Sequence, residues 1–335
     1  MNLLKYLFIL LLFAVVSCEK DEAVNQFPAE VKFDISGRML EGRGITCIDF
    51  DDEGNPWIGS GNTIYYLEGC MQKSHNLGYP VLDLAVAPDQ SVWVGTGGGG
   101  LCHFEGEGLI TWYTVENAGL PRDYVMNVEA APDGTIWFVS CAHKLGGLGI
   151  YNGKEFTFLT PENSPLNQNI ITDIEIDEDG VVYISTAGTV SMTNIYSIDG
   201  NKWKCLGREE GTFYWVYNFS ISPSGIIYLV EDFSLSSTMQ TNKLHSYSGD
   251  EWGNITLEEG WQIGFFGITG ADKRDYCWVP SASQEGLFMM VYSGKKWEIS
   301  PKDVFTGDII TVIEADDNNN VWIGTYTDGI FVLNQ

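Results

Sequence analysis

Seven stretches of this 335-residue chain repeat one pattern, and no other feature limits its fold so tightly. They are ITCIDFDDEGNPWIGS (45–60), VLDLAVAPDQSVWVGT (81–96), VMNVEAAPDGTIWFVS (125–140), ITDIEIDEDGVVYIST (171–186), VYNFSISPSGIIYLVE (216–231), FFGITGADKRDYCWVPS (265–281) and ITVIEADDNNNVWIGT (310–325). Each reads as an alternating apolar strand, an acidic or glycine-bearing turn, and a second strand holding an aromatic anchor. The anchors are Trp57, Trp93, Trp137, Tyr183, Tyr228, Trp278 and Trp322, spaced 36 to 50 residues apart. A period near 45 is the length of one four-stranded propeller blade. The sixth unit carries one extra residue, which the alignment assigns to its turn.

The rest of each unit fits the same blade. A third strand follows as Gly100–Gly106, Leu148–Gly153 or Gly329–Leu333, and an outer strand as Ile110–Thr114, Phe156–Leu159, Lys202–Cys205, Glu251–Asn254 and Lys296–Ile299. The last unit stops after its third strand. Its missing partner has a match at the other end, where Glu30-Val-Lys-Phe-Asp-Ile-Ser36 resembles Lys296-Trp-Glu-Ile-Ser300. Residues 29–36 are therefore expected to complete the seventh blade. The expected fold is all-β: a seven-bladed propeller over 29–335, closed by an N-terminal strand and free of an aggregation-prone sheet edge.

The pattern V-x-x-I-x-x-D-x-x-G-x-x-W-I-G-T, followed by G-G-[IL]-x-x-Y and a link of the form N-x-G-L-P, resembles the two-component regulator propeller repeat. The link here is Glu116-Asn-Ala-Gly-Leu-Pro121, echoed in Glu162–Leu166. The likeness is strongest in units two, three, four and seven. In hybrid sensors of that family such repeats form a periplasmic domain that detects ligands, often glycans, ahead of a kinase. The resemblance thus implies a stand-alone binding or sensing module whose signalling is not intramolecular.

The N-terminus resembles a bacterial lipoprotein leader. Lys5 precedes an apolar run that ends in Val15-Val16-Ser17-Cys18 and is too short for a comfortable membrane span. Residues 1–17 read as signal peptide, Cys18 as the lipidated residue, and 18–28 as a flexible tether. An ordinary signal peptide with an incidental cysteine is the alternative. Glu19-Lys20-Asp21-Glu22 is similar to the surface-export signal of Bacteroidetes lipoproteins, or is a plain acidic tether. The expected place is the outer membrane, facing the periplasm or the cell surface. A formal charge of −27 argues against nucleic acid, whose phosphates need Lys and Arg to replace counterions.

No familiar catalytic pattern is present. The four histidines, His75, His103, His143 and His245, stand in no zinc signature, and no G-x-S-x-G, Walker or dinucleotide motif occurs, so no metal or cofactor is expected. Gly97–Gly100 reads as a tight bend. The acidic groups Asp49–Glu53, Asp177–Asp179 and Asp316–Asp317 read as hairpin-turn residues, since none has the later bidentate Glu of an EF-hand. The cysteines after Cys18 read as buried thiols, with Cys47–Cys70 the one pairing worth naming. Turns between first and second strands are short, so their face is plain, and longer links gather on the opposite face, where function concentrates. Candidate ligand-binding residues there are Tyr124, Arg122, His143, Lys144, Trp215, Phe233 and Trp261, with a glycan or an envelope protein as partner. Trp215 and Tyr124 have packing between blades as their competing role, and Phe233 and Trp261 less so. The alternative function is a propeller enzyme acting on polysaccharide, a lyase or glycoside hydrolase, which would need convergent acid–base groups.

Overall fold

Alternating apolar residues in every repeat fold into antiparallel strands, and seven four-stranded sheets result. The computed structural model describes residues 30–335 except 107, 143–144, 188–192, 208–212, 234–241, 258–260, 264–266, 284–285, 302–303 and 306–308. The leader, Cys18 and the tether lie outside the described residues. The innermost strands are Cys47–Phe50, Val81–Val86, Val125–Ala130, Ile170–Ile176, Phe219–Ile221, Gly270–Ala271 and Ile310–Ala315. Among the described residues no helix is long and apolar enough to cross a membrane.

The turn joining first and second strands has five residues in every blade, from 51–55 to 316–320. In each, the fourth N–H donates to the first carbonyl and the first N–H to the fifth carbonyl. That geometry puts the fourth residue at positive φ: Gly54, Gln90, Gly134, Gly180, Gly225, Asp275 and Asn319. Glycine holds four of the seven because left-handed backbone strains any residue with a Cβ. The sixth turn, 272–276, matches the others, so its repeat's extra residue lies upstream of Gly270 and not in the turn. Gly270, not Thr269, faces Trp278 across the ladder.

Asp51, Asp177, Asp272 and Asp316 open their turns and cap them. Asp177 Oδ1 accepts from Asp179 N and Val181 N, and Asp316 Oδ1 from Asn318 N and Asn320 N. The second carboxylate oxygen holds an aromatic residue: Tyr183 Oη donates to Asp177, Trp278 Nε1 to Asp272 and Trp322 Nε1 to Asp316. Turn chemistry therefore accounts for these acids. Asp49 is the exception, since it stands on an innermost strand.

Seven apolar clusters fill the seven spaces between neighbouring blades. Blades three and four share Val139, Leu148, Ile171 and Ile184, and blades seven and one share Trp322, Ile330, Ile45 and Ile58. Each blade is thus buried on both faces. Opening one interface would expose about seven large side chains, forfeiting on the order of 10 kcal/mol, which rivals the net stability of a whole domain.

Closure comes from the N-terminus as expected, but later in the chain. The closing strand is Ile35–Met39, antiparallel to Ile330–Leu333 with Met39 opposite Ile330, in place of the expected 29–36. The third strand offers partners only to Leu333, so residues 30–34 run past it. Val31 is buried there, and Phe33 sits edge-to-face on Trp278. The Gln335 side chain extends the pairing by accepting from Lys32 N and donating to Lys32 O. Blade six clamps both ends: Arg274, fully buried and ion-paired with Asp272, donates to Glu30 O and Gln335 Oε1.

Cys47 and Cys70, the one pairing the sequence left worth naming beside free thiols, do not pair. Cys47 begins an innermost strand and Cys70 lies in the turn before the outermost one, about three strand spacings of ~4.8 Å away, beyond disulfide reach. Cys47, Cys102 and Cys277 are buried free thiols, while Cys70 and Cys205 are exposed ones.

Two outcomes follow for urea unfolding. Arg274→Ala should cost about 3–5 kcal/mol by leaving Asp272 as an uncompensated buried charge, and Arg274→Met with Asp272→Asn should recover much of the loss. Gly134→Ala meets open space, so its cost of about 1–2 kcal/mol comes from φ alone.

Candidate functional site

Inner strands cannot meet at the propeller axis, and the lumen they leave holds the densest chemistry in the molecule. It is a cavity of about 330 Å³ lined by all seven, including Asp49, Asp83, Asn127, Glu129, Asp173, Glu175, Asn218 and Glu314. A second space of about 350 Å³ at the turn face shares Glu175 and Glu314 with it. Six carboxylates therefore face one channel, and among the described residues no Lys, Arg or His lines the first cavity. Lys273, at the turn end, is already paired with Asp317 at 3.1 Å.

The six divide by what they bond. Asp49 Oδ2 accepts from Val86 N at 2.7 Å, Asp83 Oδ2 from Val128 N at 2.9 Å, and Asp173 Oδ2 from Phe219 N at 2.9 Å. Each bond reaches the next blade. Asn127 donates to Asp173 Oδ1 at 3.2 Å, and Asn218 accepts from Thr269 N at 3.0 Å, continuing the clasp from blade three to blade six. The aspartates therefore tie the ring together. Glu129, Glu175 and Glu314 stand opposite the anchors Trp137, Tyr183 and Trp322. No hydrogen bond to their carboxylates is found among the described residues.

Burial raises the pKa of every one of these acids. It takes Asp49 to about 6, Asp83 to about 7 and Glu314 to about 8, with neighbouring carboxylates adding to the rise for Asp83 and Glu314. Glu129, Asp173 and Glu175 rise well above the ordinary range, burial first and mutual repulsion second, although hydrogen bonds hold Asp173 back. Glu314 is open to the lumen by accessible surface. Reach by a water molecule differs from bulk solvation, however, because all seven inner strands wall the channel in laterally; the upward direction follows from that confinement.

The loop-rich face surrounds one mouth of this channel. Tyr124 is exposed beside Gly97, and Arg122, also exposed, exchanges backbone hydrogen bonds with Ser140 Oγ. Gly97–Gly100 makes the expected bend, with the Tyr79 ring lying where a Cβ on Gly99 would go. Trp215 is half-buried, 5.5 Å from the lumen residue Tyr217. Phe233 is buried, stacked on Tyr214 at 5.2 Å with Lys243 Nζ over its ring. Trp261 is half-buried edge-on to Phe288 in the space between blades five and six. Tyr124 and Phe233 thus exchange places relative to the sequence expectation, Tyr124 exposed and Phe233 buried, while Trp215 and Trp261 are both half-buried. Arg122 and Tyr124 share a link and Trp215 stands near the lumen, while Phe233 and Trp261 pack elsewhere. His143 and Lys144 lie outside the described residues.

Sequence reading missed the lumen carboxylates. Four of the six, Asp49, Glu129, Glu175 and Glu314, stand eight residues before their anchors, where the other repeats have Ala85, Ser220 and Gly270; Asp83 and Asp173 stand ten before theirs. An acid inside an otherwise apolar inner strand was the available signal.

The raised values set the sign of a pH dependence. Between the ordinary carboxylate range near ~4 and values of about 6 to 8, the folded state binds more protons than the unfolded chain. Stability is then fully present below that window and lost as pH rises through it. The melting temperature should fall from pH 5 to pH 8, and Glu129→Gln with Glu314→Gln should flatten the decline; an unchanged slope in calorimetry would refute the assignment.

Neither a protein-family model nor a curated protein matches the chain. Solved structures share its fold. YCF48 bound to D1 peptide superposes with a TM-score of 0.66 at 11% identity, over 89% of this chain and 96% of that one. Virginiamycin B lyase from Staphylococcus aureus, inactive and bound to quinupristin, gives 0.67 at 15%, over 89% and 98%. The extracellular domain of a putative one-component system from B. thetaiotaomicron gives 0.62 at 18%, over 89% of this chain and 39% of that one. At such identities the likeness is one of fold: the chain is a seven-bladed β-propeller of the architecture used by a peptide binder, a lyase and sensor ectodomains.

Proposed function

We propose that this protein is a lipid-anchored envelope propeller that binds a glycan or an envelope protein on its loop-rich face. One observation carries the reading: a channel lined by six acidic side chains, with no basic one among its described lining residues, opens on the face where Tyr79, Tyr124, Ile309 and Tyr326 are exposed. A lumen built only for stability would neutralise its charges or fill with apolar side chains. The neighbours add support, since the same scaffold holds a peptide in one, quinupristin in another, and forms a sensor's extracellular domain in a third. The leader pattern ending at Cys18 supplies the anchor, and outer-membrane placement follows from it.

Two experiments test the parts separately. Labelled palmitate should enter the wild type and not Cys18→Ser, which should move to the soluble fraction; equal labelling would remove the anchor. A glycan array and a crosslinked envelope pull-down should each be run with wild type and with Tyr124→Ala/Trp215→Ala. Capture should drop by about tenfold or more in the variant, and capture of nothing by the wild type would end the binding reading.

A further inference from the structure

We propose that the loop-rich face docks a basic segment of a partner protein, one lysine or arginine of which enters the central lumen while apolar neighbours rest on the exposed side chains around the mouth. This rests on the binding role above and specifies the partner's chemistry.

The three glutamates carry the argument. Asp49, Asp83 and Asp173 are explained by their bonds to the next blade, but Glu129, Glu175 and Glu314 have no such bond among the described residues and repel one another. Enclosed carboxylates with no partner destabilise a fold when ionised and hold protons instead, so an incoming positive charge is what would let them ionise. Two residues of the same lining, Asn127 and Thr311, carry an oxygen (Oδ1 and Oγ1) with no hydrogen-bond partner among the described residues; both oxygens are shut off from solvent as placed, so a ligand would reach them by a side-chain rotation. A guanidinium with five donors, or an ammonium with three, could use such a spread of acceptors.

Shape and surroundings favour a side chain over a free ion. Among the described residues no three His, Cys, Asp or Glu side chains converge closely enough to hold a metal. The carboxylates are distributed around a lumen of about 330 Å³, room enough for a long basic side chain. Thr46, Leu82, Tyr217 and Thr311 line its loop-face end, Met126 is exposed at the matching position of blade three, and Tyr124 stands just outside. Such a rim suits apolar flanks of a peptide, because apolar contact around a desolvated charge excludes water from it. The formal charge of −27 draws a basic segment to the surface before docking.

The test uses an array of nine-residue peptides with central Arg, Lys or Gln, flanked by combinations of Tyr, Phe, Leu and Val, probed with the purified protein. The strongest peptide is then labelled for anisotropy titrations. Arg or Lys peptides should bind about tenfold or more tightly than their Gln counterparts, one buried charge contact being worth about that factor. Glu129→Gln/Glu175→Gln/Glu314→Gln should lose about tenfold or more while melting no lower than wild type at pH 8, which separates lost binding from lost folding. Met126→Ser should weaken binding and leave its salt dependence unchanged. Equal binding of Gln peptides, undiminished binding by the triple variant, or argininamide binding as tightly as the peptide would each overturn the proposal. An envelope partner that still binds the triple variant would overturn this chemistry and leave the broader binding role standing.

Discussion

A propeller blade has two apolar faces and no way to bury both alone, so every blade depends on two neighbours. In this chain that dependence runs around seven shared clusters and returns to its start only if the two ends of the chain meet. Closure is consequently the interaction on which the rest depends. Main-chain pairing of Ile35–Met39 with Ile330–Leu333 provides it, and the buried Arg274 secures it by bonding Asp272, Glu30 O and Gln335 at once. The clamp comes from a blade that is neither first nor last. A residue in blade six thereby makes the register of both termini part of one buried network, so slippage of either end would strand a charge.

The repeat was legible because its signals are local and recur seven times: an alternating strand, a five-residue turn, an aromatic anchor. Even the turn acids could be assigned, since Asp at the head of such a turn caps amides two and four residues on. Closure was legible in kind but misplaced, because the likeness of Glu30–Ser36 to Lys296–Ser300 reflects alternation alone. Register depends on how far the third strand runs, which is a tertiary fact. The extra residue of unit six was misassigned for a related reason, as only cross-strand pairing shows that Gly270 faces Trp278.

The candidate site was the least legible part. Its acids are scattered over five of the seven repeats, from Asp49 to Glu314, each looking like an ordinary polar residue of a half-buried strand. Nothing in one repeat announces that its acid meets five others at an axis. Loop aromatics drew attention instead, and there composition could not say which rings pack: Phe233 turns inward onto Tyr214 while Tyr124 stays open. Function distributed over a symmetry axis hides from reading along the chain.

The lumen and the closure are linked by rigidity. Mutual repulsion among six carboxylates pushes the inner strands apart, and the aspartate clasps from blade one to blade two, two to three, and four to five resist that push. The channel therefore holds both acids that destabilise it and acids that hold its wall. A wall so held cannot collapse to relieve the charge, and it cannot widen while the chain ends stay locked. The remaining ways to lower the energy are protonation or entry of a positive group. A scaffold that blocks its own relaxation keeps the acceptors arranged before any ligand arrives, which is what preorganisation requires.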